Sequence, residues 1–296
     1  MRCDRVYHSE ALTEKRVLIL GDSITHAGGW VVALESRLRC QYPDRLVQLT
    51  NLGLPSETIG NHQDDGEHVR RYGFPRPSLS QRLERTLDAF QPELVIACYG
   101  MNDGHGAAWN EPCFRSFQDG HHRLRDAIIQ RSLQIVHCTP PAYDAGAPQA
   151  LCHPLYDQVL TRYAEWLLTQ RDEGWTVIDL HHPMVTALAN RRRDNPSATF
   201  SIDGVHPDDS GHWAMAQGMF AALGDDAAVA ASSLESLLPM GLTELPNLVR
   251  QRQELFRDAW LSRIPHTRPN LPQGLPFAEA ETSARELEQR IVGLFA

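Results

Sequence analysis

The sequence predicts an α/β sandwich around a central parallel sheet of about five strands, with a C-terminal helical extension. Three observations predict it. Five short runs rich in Val, Ile and Leu recur through the first two thirds of the 296 residues, each run is nearly continuous rather than alternating, and segments of helical spacing lie between them. A continuous apolar run suits a strand buried on both faces of a parallel sheet. Strand alternating with helix then implies right-handed crossovers.

The elements follow in order. "RVLIL" from residue 16 is the first strand, and "WVVALESRLRC" has the spacing of the helix after it. "LVQLTNLGL" from 46 is the second strand. "SLSQRLERTLDAF" is the helix before the third strand, "LVIACYG" from 94, and "FRSFQDGHHRLRDAIIQ" the helix before the fourth, "QIVHCTP" from 134. "LYDQVLTRYAEWLLTQ" precedes the fifth, "WTVIDL" from 175. After "FSIDGVHPDDSGHW" a last core helix is expected over about 209–223, with Asp209 or Ser210 as its N-cap. Residues 1–224 are therefore read as the main domain. From 225 to 296 the chain turns Ala- and Leu-rich, crosses the Pro-dense "IPHTRPNLPQGLPF" and ends in "AEAETSARELEQRIVGLF", which suits an amphipathic helix. Too few apolar residues remain there for a separate core, so this extension is expected to pack on the main domain. A homo-oligomer through the extension is the second reading.

Composition excludes several classes. With 42% hydrophobic and 22% charged residues the chain reads as globular, and no run approaches the ~20 apolar residues of a membrane span. "MRCDRVYHSE" has no apolar signal core, so the chain as it stands is expected in the cytoplasm, or secreted or periplasmic if a leader was trimmed. A net charge of -9 disfavours nucleic acid, since only "RRR" at 191–193 clusters cations, and that triplet is read as a solvated helix end. The six cysteines (3, 40, 98, 113, 138, 152) form no C-x-x-C pair, and "HQDDGEH" at 62–68 has no metal-site spacing and reads as a solvated loop. Cys98 and Cys138 lie inside apolar runs and are expected as buried thiols. No metal or cofactor is called for.

Ligands of open α/β sheets bind beyond the carboxyl ends of the strands. Ser23 stands two residues past the first such end, and "NLGLPSET", "YGMNDG" and "DGVHP" offer polar groups at the same edge. A serine hydroxyl needs an adjacent base to act as a nucleophile. Among 14 histidines His206 is the best candidate, because Pro207 restrains its backbone and Asp203, three residues earlier, can hold the imidazole. Asp22 and Asp103 flank these groups and are read as structural acceptors of backbone hydrogen bonds.

In this order "GDSIT", the glycine block "NLGLPSET", "GMND" and "DGVHP" resemble the blocks of the SGNH (GDSL-like) hydrolase superfamily, over residues 16 to 223. The resemblance implies a flavodoxin-like sandwich and hydrolysis of acyl esters through an acyl-serine, with Ser23, Asp203 and His206 as catalytic residues. It also implies an oxyanion hole from the Ser23 N–H, the Asn102 amide and a second-block backbone N–H. That last donor is either Ser56, which stands where the family has glycine, or Gly53. Trp30, Trp109 and Tyr143 are candidates to stack on a sugar, and His105 and His26 to line the pocket or fill the loops. Polar, His-rich loops favour a small acyl group on a polar alcohol, such as an O-acetylated saccharide. A generalist lipase or thioesterase and an acyltransferase share the same triad. A non-catalytic binding module does not need all four of Ser23, Asn102, Asp203 and His206.

Overall fold

Strand β1 (Arg16–Gly21) buries Val17, Leu18, Ile19 and Leu20 completely, which is possible only with cover on both faces of the sheet. The computed structural model describes residues 7–61 and 66–296, so Cys3 and residues 62–65 of the "HQDDGEH" segment lie outside the described residues. Helix α1 (Ser23–Ala27) is a short turn that leads through Gly28 into α2 (Gly29–Gln41). Strand β2 (Gln48–Asn51) follows, then α3 (Gly66–Tyr72) and α4 (Leu83–Phe90), and then β3 (Leu94–Cys98), buried along its whole length. Helix α5 (Glu111–Gln130), capped by Asn110, crosses to β4 (Gln134–Cys138), and α6 (Tyr156–Thr169) crosses to β5 (Val177–Ile178). Helices α7 (His181–Asp194) and α8 (Asp209–Leu223) complete the main body. The five strands are all parallel in the order β2-β1-β3-β4-β5, the flavodoxin-like arrangement.

Three expectations need correction. The N-cap of α8 is Asp208, whose carboxylate accepts the Gly211 N–H at 2.9 Å, and not Asp209 or Ser210. Residues 66–68, the described end of the segment expected as a solvated loop, open helix α3 and bury His68, whose imidazole packs edge-on against Phe74 with centroids 5.1 Å apart. In "RRR" Arg191 and Arg193 are exposed at the end of α7 as expected, and only Arg192 departs from a solvated end. Arg192 reaches from α7 to Asp144 at 2.7 Å, while Arg191 lies over Phe200.

Beyond α8 come α9 (Asp226–Ala230), α10 (Leu245–Arg263) and α11 (Phe277–Gly293). Leu245, Leu248 and Val249 of α10 and Ile291 of α11 share a small apolar cluster with Val32 of α2. Beside it Glu35, fully buried, accepts from Arg39 at 2.8 Å, Arg252 at 2.6 Å and Gln253 at 2.7 Å. Trp260 packs on Phe90 and Phe277 and joins the main core. Among the described residues no helix is long and apolar enough to cross a membrane.

Candidate active site

The sheet order reverses between β1 and β3, and such a switch point opens a crevice at the carboxyl edge. Ser23 follows β1 and Asn102 follows β3, so the two stand on either side of that crevice. Asp22 caps α1 by accepting the Ile24 N–H at 2.9 Å, which fixes Ser23 at the first helical position. In that first turn backbone N–H groups lack intrahelical acceptors and can serve a ligand oxygen.

One continuous hydrogen-bonded relay runs from this serine. Ser23 Oγ lies 2.9 Å from His206 Nε2, and His206 Nδ1 lies 2.7 Å from Asp203 Oδ2. The other oxygen of Asp203 accepts from the Ser201 hydroxyl at 2.9 Å and from the Val205 and His206 N–H groups at 2.9 and 2.8 Å. Burial alone would raise the Asp203 pKa, but the bonds from His206 and Val205 outweigh it and take the carboxyl down to about 2. Gly204 turns this loop at φ 80°, and a Cβ there would sit 2.6 Å from the Asp144 carbonyl. The loop is therefore pinned against residues 143–151, with Asp144 N–H donating to Gly204 and Leu151 N–H to Asp203.

The second and third blocks meet over Glu57. Asn102 Nδ2 donates to the Glu57 carbonyl at 3.2 Å, while the Glu57 carboxylate is gripped by Arg82 at 2.7 Å and by the Tyr99 hydroxyl at 2.6 Å. Asp103 Oδ1 accepts the Gly60 N–H at 2.9 Å, tying the same two loops together. Burial raises Asp103 to about 7 and Asp22 to about 6. Both do accept backbone hydrogen bonds.

Ser56 holds φ 68°, the left-handed conformation that a glycine would take without strain, and it lines the cleft with Ser23, Asn102 and His206. Gly53 has a different place. Its N–H is spent on Asn51 Oδ1 at 2.9 Å, and a Cβ on it would come within 2.3 Å of the His26 nitrogen, so it is a close-packing residue against α1.

The family model for GDSL-like lipases and acylhydrolases matches residues 19–214. The chain belongs to that family. It is a carboxylic ester hydrolase of GDSL type. No curated protein matches it in sequence. Among solved structures it is similar to a gut microbial diltiazem-metabolizing enzyme, at 20% identity and TM-score 0.54, over 71% of this chain but only 47% of that one. It is also similar to a catalytic mutant of an acetylxylan esterase from Geobacillus stearothermophilus, at 19% identity and TM-score 0.50, over 72% of this chain and 95% of that one. A GDSL-like lipase from Parabacteroides merdae is 18% identical with TM-score 0.50, over 75% of this chain and 99% of that one. At such identities the likeness is one of fold.

Of the pocket candidates in this GDSL-family chain, only His105 lines the cleft, which holds about 790 Å³. Trp30 is fully buried on α2 as a member of the main hydrophobic core. Tyr143 is buried under the Asp203 loop, its hydroxyl 3.0 Å from both the nitrogen and the oxygen of Cys152. Trp109 packs on Phe114 and Tyr163 beneath Arg162, and His26 is half-buried outside the cleft lining, with its pKa lowered to about 4 by desolvation. The cleft wall is made instead by residues the sequence reading passed over, among them Arg71, Arg76 and Arg268. The aromatic and cationic density of "RRYGFPRPS" was a usable signal for the first two; nothing local marks Arg268. Among the described residues no group of three or more His, Cys, Asp or Glu side chains is placed to hold a metal ion.

Proposed function

We propose that the chain cleaves short-chain acyl esters of polar alcohols, O-acetylated carbohydrates among them, by a two-step acyl-serine mechanism. The relay from Ser23 through His206 to Asp203 carries this reading. His206 Nε2 takes the Ser23 proton as Oγ attacks the ester carbonyl, and the charged ring is held by Asp203. The imidazolium then protonates the departing alkoxide, and water repeats the sequence to release the acid. The developing oxyanion is received by the Ser23 N–H, the Asn102 amide and the Ser56 N–H, whose left-handed backbone and place on the cleft favour it over Gly53.

A small acyl group is supported by the cleft itself. Its apolar side chains, such as Phe74, Met101 and Val205, are interrupted by Arg71, Arg76, His105 and His153, which leaves no continuous apolar groove for a long chain. The acetylxylan esterase among the fold neighbours adds support for an acetylated sugar. The test is an acyl-length series of 4-nitrophenyl esters run beside acetylated xylose and acetylated sialic acid, with stoichiometric labelling of Ser23 by a serine-reactive phosphonate. Preference for acyl chains of eight carbons or more, with no acetate released from any sugar, overturns the substrate class. Absence of labelling overturns the nucleophile.

A further inference from the structure

A chain of net charge -9 places Arg70, Arg71 and Arg268 on the wall of the cleft that holds Ser23, and Glu67 is the one glutamate lining it among the described residues. Arg70 and Arg71 lie on α3. Arg268 comes from the far end of the sequence, on the Pro-rich strap between α10 and α11. The strap is fastened beside the cleft by the Thr267 hydroxyl donating to Gln81 at 2.6 Å, and Arg257 of α10 donates to the His26 carbonyl at 2.7 Å.

The pairing of Arg268 is unlike that of the other sequestered arginines. Arg39, Arg82 and Arg252, the fully buried guanidiniums, each meet a glutamate. Arg268 is half-buried and has no carboxylate partner among the described residues. It stacks over the Phe74 ring at 4.2 Å, donates one N–H to the Pro269 carbonyl, and keeps its Nε shielded from water with no acceptor. Arg71 stands over Tyr72 at 5.5 Å, also without a carboxylate partner among the described residues. A guanidinium whose face is held on an aromatic ring presents its edge, and that edge matches the planar fork of a carboxylate or the oxygens of a phosphate. A cation partly stripped of water and left unpaired costs free energy until an anion arrives.

We infer that Arg268, with Arg70 and Arg71 lining the same cleft, is an anion subsite of the catalytic cleft, and that the favoured esters carry a carboxylate or phosphate on the part of the molecule seated there. The inference rests on the ester-hydrolase reading of this same cleft and narrows its substrate. It also gives the C-terminal extension a place in specificity, because the strap supplies the half-buried member of these three cations.

Matched pairs test it. The acyl side is read by 4-nitrophenyl hydrogen succinate against 4-nitrophenyl butyrate, and the alcohol side by O-acetyl galacturonic acid against O-acetyl galactose. O-acetyl glucose 6-phosphate against O-acetyl glucose separates phosphate from carboxylate. In at least one pair the anionic member is expected to have a kcat/KM ~10-fold or more above its neutral match at low salt, an advantage that shrinks in about 0.5 M NaCl. In Arg268→Gln that ratio is expected to fall ~10-fold, and Arg268→Lys to restore part of it. Neutral esters equal to or better than anionic ones in all three pairs overturn the inference, as does a ratio that neither salt nor Arg268→Gln moves. Should Arg268→Gln not fold, Arg71→Gln and the salt titration of the unaltered protein read the same ratio. Calorimetric binding of the three pairs to Ser23→Ala needs no turnover. Anion-selective binding there without hydrolysis by the unaltered protein sinks the hydrolase reading alone, whereas hydrolysis without charge preference sinks the subsite alone.

Discussion

The side-chain amide of Asn102 donates to the main-chain carbonyl of Glu57 at 3.2 Å. That bond joins the loop after β3 to the loop after β2 and uses one of the two amide hydrogens, so the second is oriented before any substrate arrives. Beneath it the Glu57 carboxylate is fully buried and neutralised by Arg82, with Tyr99 as a further donor. The donor proposed for the oxyanion is therefore mounted on a buried, charge-compensated base, which is what electrostatic preorganisation requires.

Asn102→Ala is expected to lower kcat by ~10²- to 10³-fold on a 4-nitrophenyl acetate substrate while changing KM little, because the lost contact is made chiefly to the oxyanion. Steady-state kinetics check this. A loss confined to KM would assign Asn102 to ground-state binding instead.

Ser23→Ala removes the hydroxyl proposed as nucleophile and leaves the Asp22 cap of α1 in place. Turnover should drop by ~10³-fold or more, with a thermal midpoint close to that of the unaltered protein. Substantial turnover in pure variant protein would move the nucleophile elsewhere.

How much of this was legible in the sequence depended on the range of the interactions. The strands were legible because full burial on both faces writes continuous apolar runs such as "RVLIL" and "LVIAC". That Ser23, Asn102, Asp203 and His206 come to one edge of the sheet was legible because each sits in a loop or turn after a strand or before a helix. Trp30 and Tyr143 misled because an aromatic near a strand end reads alike whether it faces the cleft or the core. Helix α7 escaped notice because its apolar residues are sparse, with only His181, Met184 and Leu188 buried. Arg268 lies 245 positions after Ser23, and no local pattern announces that the strap passes the cleft.

The buried carboxyl of Asp103 gives a pH signature. Its pKa rises from an ordinary 3.8 to about 7, so between those values the folded state keeps a proton that the unfolded chain has lost. Stability therefore falls as pH rises from about 4 to about 7 and levels off above. Asp103→Asn keeps an oxygen for the Gly60 N–H and removes the titration. Relative to the unaltered protein, the variant should gain ~1–3 kcal/mol between pH 4 and pH 8. Denaturant unfolding across that range is the measurement, and parallel curves for the two proteins would contradict it.

The C-terminal extension is tested at its charged seam. Burial alone would raise the Glu35 pKa, but Arg252 and Arg39 reverse the direction and leave it lowered, so the group is a carboxylate facing two guanidiniums. Glu288 of α11 supplies the second acceptor for both arginines, at 2.8 Å from Arg39 and 3.5 Å from Arg252. Glu35→Gln leaves two cations sharing one half-exposed partner, and breaking a buried pair from one side costs about 3–5 kcal/mol. Deleting residues 265–296 removes Glu288 and Ile291 together and uncovers α10 and Val32 of α2. Both changes should lower the thermal midpoint, the deletion more than the substitution, since it also opens the apolar cluster. The deletion should in addition abolish any preference for anionic esters, because Arg268 leaves with the strap. A deletion protein with an unchanged midpoint would show that these contacts contribute nothing to the fold.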